Sequence, residues 1–132
     1  MLERFDLQTA KEGLYDITQA VRDVIRESGV KEGICVAYCP HTTAGITINE
    51  NADPDVLRDF LLGFDAAFPD RPEFRHSEGN SAAHLKTGVV GSSVTLIVRD
   101  GAPLLGVWQG VYFCEFDGPR RRQYYVKATR DA

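Results

Sequence analysis

Residues 33–54, GICVAYCPHTTAGITINENADP, decide the expected fold. The apolar run Gly33 to Cys39 is typical of a buried strand, and Ile46 to Glu50 resumes strand character after a polar break. Asp53-Pro54 is a strong helix start, because Asp at the N-cap accepts backbone hydrogen bonds and Pro at the first helical position has no amide hydrogen to leave unpaired. The stretch therefore predicts a strand, a turn, a second strand and a helix in succession.

The flanking sequence extends this pattern on both sides. Apolar spacing predicts one helix with Thr18 as its N-cap and Gly29 just past its end, a second from Pro54 to about Ala67, and a short helix capped by Asn80 or Ser81. Residues 68–79 are polar and predict a long loop. Further strands are predicted over residues 2–9, 14–17, 92–98, 111–116 and 123–128. About seven strands and two main helices that do not alternate strictly favour an α+β fold over a doubly wound α/β sheet.

Length and composition indicate one ordinary globular domain, residues 1–132. The chain has 15 basic and 19 acidic residues, and this net charge of −4 argues against a general nucleic-acid-binding protein. No apolar run is long enough for a transmembrane helix, and the first residues lack the pattern of a signal peptide. An odd count of three cysteines, Cys35, Cys39 and Cys114, predicts buried free thiols and a cytoplasmic location.

The three histidines suggest one candidate site. His41 opens the break between two strands, while His76 and His84 flank Glu78. Imidazole nitrogen and carboxylate oxygen are ligands that suit zinc or a similar ion. The spacing matches no strong zinc signature, so ordinary polar roles for these residues stay open.

Acidic and basic side chains suggest two further candidates. Glu50, at the end of an apolar strand, would serve as a general base or a metal ligand if buried, whereas Asp53 is explained as a helix cap. Glu115 interrupts an apolar strand, so it must pair with a cation or face a pocket. The basic run Arg120 to Arg122 is either a solvated turn or a clamp for phosphate. Backbone amides near Asn80 offer a second place for an anion.

Taken together, three blocks resemble the YjbQ-like family in the same order along the chain. They are residues 41–55, HTTAGITINENADPD; residues 78–86, EGNSAAHLK; and residues 106–111, GVWQGV, followed by residues 115–120, EFDGPR. The resemblance implies a compact α+β domain with a β-sandwich, assembled as a homotrimer. It also implies a weak, secondary thiamine-phosphate synthase activity, a transferase reaction that joins a pyrimidine pyrophosphate to a thiazole phosphate.

The family pattern implies that the motif residues, Trp108 among them, gather in one polar pocket near a subunit boundary. The residues expected to act in catalysis are His41, Glu50, Asp53, His84 and Glu115. Those expected to bind ligand or cofactor are Thr42, Asn51, Asn80, Lys86, Gln109 and Arg120. A divalent metal, zinc before magnesium, is expected on His41, His76, Glu78 and His84. No nucleotide cofactor is expected.

Residues and resemblance together predict an enzyme acting on a phosphorylated small molecule, with neither nucleic acid nor membrane as a partner. Authentic thiamine-phosphate synthases use a TIM barrel, which needs at least about 200 residues, so the activity is expected to be weak in this shorter chain. Three alternatives stay open: a metal-dependent hydrolase of a phosphorylated or ester metabolite, a non-catalytic protein that binds a metabolite or metal, and polar blocks that only hold the trimer together.

Overall fold

The computed structural model describes all residues, 1–132. It contains eight strands and three helices, so the expected strands are present and one short strand is added. The strands are β1 Leu2–Gln8, β2 Gly13–Asp16, β3 Gly33–Tyr38, β4 Ala44–Glu50, β5 Ser93–Arg99, β6 Ala102–Pro103, β7 Gln109–Glu115 and β8 Arg121–Arg130. The helices are α1 Thr18–Ser28, α2 Pro54–Ala67 and α3 Ser81–Val90.

The strands form two sheets, and the α+β prediction is confirmed. A five-stranded sheet has the order β1-β8-β3-β5-β6, and a three-stranded sheet has the order β2-β7-β4. All strand pairs are antiparallel. A cluster of 17 buried residues joins both sheets and α1 into one core, with Phe113 and Val126 among its fully buried members. Cys35, Cys39 and Cys114 are free and buried, as expected.

Helix α1 packs on this core through the predicted apolar stripe, since Val21, Val24 and Ile25 are buried. Its N-terminus differs from the prediction by one residue. Thr18 is the first helical residue and not the cap, because its N–H donates to the Asp16 carboxylate at 2.9 Å. Gly29 ends the helix as expected, with a φ of 73° that favours glycine.

Helix α2 lies on the surface and has no fully buried residue. Asp53 caps it as predicted, accepting a hydrogen bond from the Asp55 N–H at 2.9 Å. Phe60 and Phe64 attach it to a small second cluster that contains Phe116. No helix of the chain combines the length and the apolar character that crossing a membrane would require.

Helix α3 is longer than predicted and reaches Val90. The sequence does not predict the second half of α3, because Gly88 and two valines are poor helix formers. Tertiary contacts compensate, because Lys86 forms ion pairs with Glu12 and Asp65 and the helix packs against β4.

The pairing of β4 with β7 defines two ends of the three-stranded sheet. Ala44 lies opposite Glu115 at one end, and Glu50 lies opposite Gln109 at the other. Seven extended residues separate these ends by about 20 Å. The end at Ala44 and Glu115 is called the pocket end below, and the end at Glu50 and Gln109 the far end.

Candidate functional site

A polar pocket of about 310 Å³ lies at the pocket end, where three segments meet. These segments are the turn between β3 and β4, the start of α3 and the connection from β7 to β8. None of its nine lining residues is hydrophobic: Pro40, His41, Thr42, Thr43, Glu78, Asn80, His84, Arg120 and Arg122. The structure thus brings together His41, Thr42, Asn80, His84 and Arg120, as the family resemblance implies.

A buried ion pair forms the back of this pocket. Arg122 donates to both carboxylate oxygens of Glu115, at 2.7 and 2.5 Å, and to the Thr43 carbonyl and hydroxyl at 3.2 and 2.8 Å. Thr9 and the Asp117 N–H donate to the same carboxylate. Burial alone would raise the pKa of Glu115, but these donors outweigh it and lower the pKa below its usual range. Glu115 is therefore an ionised structural partner, and its expected catalytic role is not supported by this position.

Asp117 joins the start of α3 to the connection between β7 and β8. Its carboxylate accepts from the Asn80 side-chain N–H at 2.7 Å and from the Arg120 guanidinium at 2.8 Å. Burial alone would raise the pKa of Asp117, but the two donors outweigh it and lower the pKa. Asp117 therefore fixes the positions of two lining side chains.

His41 is held in its neutral form. Its Nε2 accepts a hydrogen bond from the Gln123 backbone N–H at 3.0 Å. Burial and the positive charge of Arg122 lower the pKa of His41. Because a neutral imidazole with an accepting Nε2 carries its proton on Nδ1, His41 has one N–H donor left.

His84 lies in the first turn of α3, beside the loop that carries His76 and Glu78. The His76 and His84 rings meet edge to face, with centroids 5.1 Å apart. The nearest nitrogen–oxygen distance between His76 and Glu78 is 3.9 Å, which is too long for a direct hydrogen bond. His76 does not line the pocket, whereas Glu78 and His84 do.

These residues do not fit the expected metal site. His41 has no free lone pair, because Nε2 accepts from the backbone and Nδ1 carries the proton. No group of three or more His, Cys, Asp or Glu side chains in the chain is arranged to hold a metal ion. A metal on His41, His76, Glu78 and His84 therefore stays a prediction that this arrangement does not support.

The arrangement does suit an anion. Arg120 donates hydrogen bonds to Asp117 through Nε and Nη2. Arg122 donates to Glu115 and Thr43 through the same two nitrogens. The Nη1 group of each arginine makes no hydrogen bond within the chain. Two guanidinium N–H groups, the imidazole N–H of His41 and the Thr42 hydroxyl are thus available to an anionic ligand, and such charge-assisted bonds are the strong ones.

Five residues expected in the pocket lie at the far end and do not line it: Glu50, Asn51, Asp53, Trp108 and Gln109. Within one chain, the expected residues therefore do not form a single polar pocket, and a pocket completed across a subunit boundary stays a prediction. The physical reason is that β4 is fully extended, so residues adjacent in the motif are separated by the length of a strand.

Lys86 is also outside the pocket. It is buried and pairs with Glu12, at 2.9 Å, and with Asp65. Burial alone would lower the pKa of Lys86, but the two carboxylates outweigh it and raise the pKa. Lys86 therefore ties α3 to α2 and to the turn between β1 and β2, and it offers no donor to the pocket.

The sequence indicates Arg122 only as one member of the basic run Arg120 to Arg122, and it does not indicate Thr43 as a site residue. The signal for Arg122 was present, because Glu115 had to pair with a cation or face a pocket and a run of three arginines follows it. Thr43 gave no such signal, since its contribution depends on the path of the turn before β4.

Comparison with known proteins agrees with the fold and the motifs. Residues 3–131 match the family described as UPF0047 protein YjbQ-like. UPF0047 protein MJ1081 of Methanocaldococcus jannaschii is 54% identical over 132 residues, covering 99% of this chain and 96% of that protein. UPF0047 protein YugU of Bacillus subtilis is 53% identical over 129 residues, covering 96% of this chain and 98% of that protein.

Solved structures give the same result. A YjbQ/UPF0047 family protein from Clostridium acetobutylicum superposes with a TM-score of 0.94 at 51% identity, covering 96% of this chain and 99% of that chain. A YbjQ-like protein of unknown function from Sulfolobus solfataricus superposes with a TM-score of 0.95 at 30% identity, covering 99% and 97%. These names state no substrate or reaction. The chain belongs to the UPF0047, or YjbQ-like, protein family.

Proposed function

We propose that this protein is an enzyme that binds a phosphorylated small molecule in the polar pocket lined by His41, Arg120 and Arg122. The observation that carries the proposal is the convergence of Arg120, Arg122 and His41 on a pocket without a hydrophobic lining residue. Each supplies an N–H group that no protein acceptor uses. Phosphate oxygens are strong acceptors, and the guanidinium fork matches their geometry.

The arginines are held in place before a ligand arrives. Glu115 orients Arg122 and Asp117 orients Arg120, so little side-chain freedom is lost on binding. The same carboxylates offset the formal positive charge of the two arginines, and Glu78 also lines the pocket. Selective binding of phosphate then depends on the direction of the N–H donors more than on a net positive charge of the pocket.

The reaction class proposed is transfer with departure of a phosphate or pyrophosphate group. In the thiamine-phosphate reaction, the thiazole nitrogen attacks the methylene carbon of the pyrimidine while the bond from that carbon to the pyrophosphate oxygen breaks. The electron pair leaves with the pyrophosphate, so this step needs anion stabilisation and no strong base. Arg120 and Arg122 would stabilise that charge, and the His41 Nδ1–H would donate to the leaving oxygen. We propose this as a weak, secondary activity.

Calorimetric titration with pyrophosphate tests the binding. Arg120→Gln removes a charged donor at the pocket and should weaken pyrophosphate at least tenfold, at about 1.5–3 kcal/mol for a bond to a charged group. Arg121→Gln is the matched control, because Arg121 is exposed and does not line the pocket. It should change the affinity less than twofold. Equal losses in both variants would show a non-specific charge effect and contradict the proposal.

Turnover is tested separately, with the pyrimidine pyrophosphate and thiazole phosphate together and with phosphate esters alone. Release of pyrophosphate that is lost in His41→Ala supports a transferase. Hydrolysis of the esters alone would favour a hydrolase instead. Binding without any turnover would show a metabolite-binding protein and contradict the enzymatic part.

We also propose the homotrimer, with the outer face of the five-stranded sheet in its interface. Ile34 and Ile97 are adjacent on β3 and β5, and Tyr38 lies opposite Tyr125 on β8. Ile34, Tyr38 and Ile97 are exposed although they are large and apolar. Exposed apolar faces of this kind mark interaction sites. Native mass spectrometry should give a complex of three chains, and Ile97→Lys should lower the fraction of trimer. A monomeric wild type would contradict this proposal.

We also propose a cytoplasmic location, which the three buried free thiols support.

A further inference from the structure

A second depression, of about 400 Å³, adjoins the pocket described above. It is called the neutral lobe here, and the pocket containing the arginines the anion lobe. Three lining residues belong to both: His41, Thr42 and His84. The two lobes are therefore neighbours, and these three side chains form a wall that both share.

The neutral lobe has a different chemistry from the anion lobe. Beyond the three shared residues it is lined only by Thr87, Gly88, Gly91 and Ser92. None of these four carries a charge at any ordinary pH. Two of them have no side chain, Ser92 has an exposed hydroxyl side chain, and the Thr87 hydroxyl is buried without a hydrogen-bond partner. The lobe therefore offers shape and neutral polar contacts, with no partner for a second charged group.

Helix α3 builds one wall of this lobe. His84, Thr87 and Gly88 are spaced i, i+3 and i+4, so they lie on one face of the helix. Gly88 is a weak helix former in the interior of α3, and a Cβ added there would meet no atom within 4 Å. Neither a positive φ nor close packing requires glycine at this position. Its effect is to keep the lobe wide.

We propose that the neutral lobe binds the uncharged part of the same phosphorylated molecule whose phosphate occupies the anion lobe. The inference rests on the proposed function and specifies its substrate class: a phosphate or pyrophosphate ester of an uncharged group at least the size of an aromatic ring. A cavity of roughly 150 Å³ holds one benzene ring, so the neutral lobe has room for a ring with substituents. His41 and His84 then lie beside the bond that joins the two parts.

The test compares inorganic phosphate with phenyl phosphate, using nuclear magnetic resonance titrations of the full-length chain. Wild type should bind phenyl phosphate at least fivefold more tightly than inorganic phosphate. Gly88→Leu places a side chain in the neutral lobe and should abolish that preference while changing the affinity for inorganic phosphate less than twofold. Gly63→Leu is the matched control on α2, where an added Cβ also meets open space and no pocket is lined. It should change neither affinity.

The outcomes separate the two proposals. If wild type binds inorganic phosphate and phenyl phosphate equally well, the proposal for the neutral lobe is wrong and the proposed function stands. The same conclusion follows if Gly88→Leu still prefers phenyl phosphate. Failure of both compounds to bind wild type overturns the proposed function and this inference with it. If Gly88→Leu does not fold, Ser92→Tyr places a large side chain at another lining position of the lobe and should give the same loss of preference. The backbone carbonyl of Ser92 accepts a hydrogen bond from the Cys39 N–H, and the Ser92 side chain makes no hydrogen bond. Ser92→Tyr therefore leaves this backbone hydrogen bond intact.

Discussion

The two ends of the three-stranded sheet carry similar polar side chains and use them in different ways. At the pocket end the contacts run from side chain to side chain across separate segments, as between Glu115 and Arg122 and between Asp117 and Asn80. At the far end they run from side chain to backbone. Asp53 caps α2, and the Asn51 side chain donates to the Gln109 carbonyl. The first pattern shapes a pocket, while the second shapes a turn.

The surfaces of the two ends differ accordingly. At the pocket end two arginines and a histidine retain unused N–H donors facing a pocket. At the far end the Gln109 side chain is used by the Gly106 N–H, and the adjoining loop exposes Val107 by 81% and Trp108 by 60%. This contrast shows that a polar motif marks a site only where its side chains are free to meet a ligand.

The largest effect is expected from breaking the buried ion pair at the pocket end. Arg122→Met leaves Glu115 buried without its cation and should lower the free energy of unfolding by about 3–5 kcal/mol. Urea denaturation measures this loss. Glu50→Gln at the far end is the control and should change stability by less than about 0.5 kcal/mol. Comparable losses in the two variants would contradict the contrast between the ends.

The second prediction concerns the pH dependence of that pair. Because the pKa of Glu115 is lowered in the fold, its stabilising contribution is fully present above the unfolded value of about 4.3. It is lost as pH falls through the lower folded value. The difference in unfolding free energy between wild type and Glu115→Gln should stay constant from pH 7 to about 5 and shrink in more acidic solution. A difference that grows on acidification would show the opposite sign and refute the assignment.

A smaller effect is expected from Asp117→Asn, which weakens the contacts to Arg120 and Asn80 without removing either lining side chain. Pyrophosphate affinity should fall about tenfold, equal to about 1.4 kcal/mol. Calorimetry measures this, with thermal denaturation as the check that the fold persists. An unchanged affinity in a folded variant would show that Arg120 does not depend on Asp117.

The smallest effect is expected at the far end. Asp53→Ala removes the α2 cap and should cost about 1 kcal/mol of stability, with no change in pyrophosphate affinity. Asp53→Asn, which retains a capping oxygen, should recover most of the loss. If Asp53→Ala instead abolished binding while the protein stayed folded, the far end would belong to the site.

Much of the fold was predictable because it depends on local signals. Asp53-Pro54 marked the start of α2, Gly29 marked the end of α1, and alternation located the longer strands. The two-residue strand β6 and the second half of α3 depend on tertiary contacts, so no local pattern showed them.

The candidate site was only partly predictable. The sequence predicts that Glu115 pairs with a cation or faces a pocket, but only the fold shows that its partner is Arg122 and not Arg120. The motif from His41 to Asp53 is continuous in sequence, yet β4 divides it between the two ends. Because β4 is an extended strand, its length alone places Glu50 about 20 Å from the pocket end that His41 lines.

The most direct test of the central claim uses reporters at both ends of the molecule. His41 and His84 lie at the pocket end, and Trp108, the single tryptophan of the chain, lies at the far end. In a nuclear magnetic resonance titration with pyrophosphate, the imidazole signals of His41 and His84 should shift with one saturating curve while the Trp108 indole signal stays in place. A shift of the indole signal with the imidazole signals unmoved would contradict the account and assign anion binding to the far end.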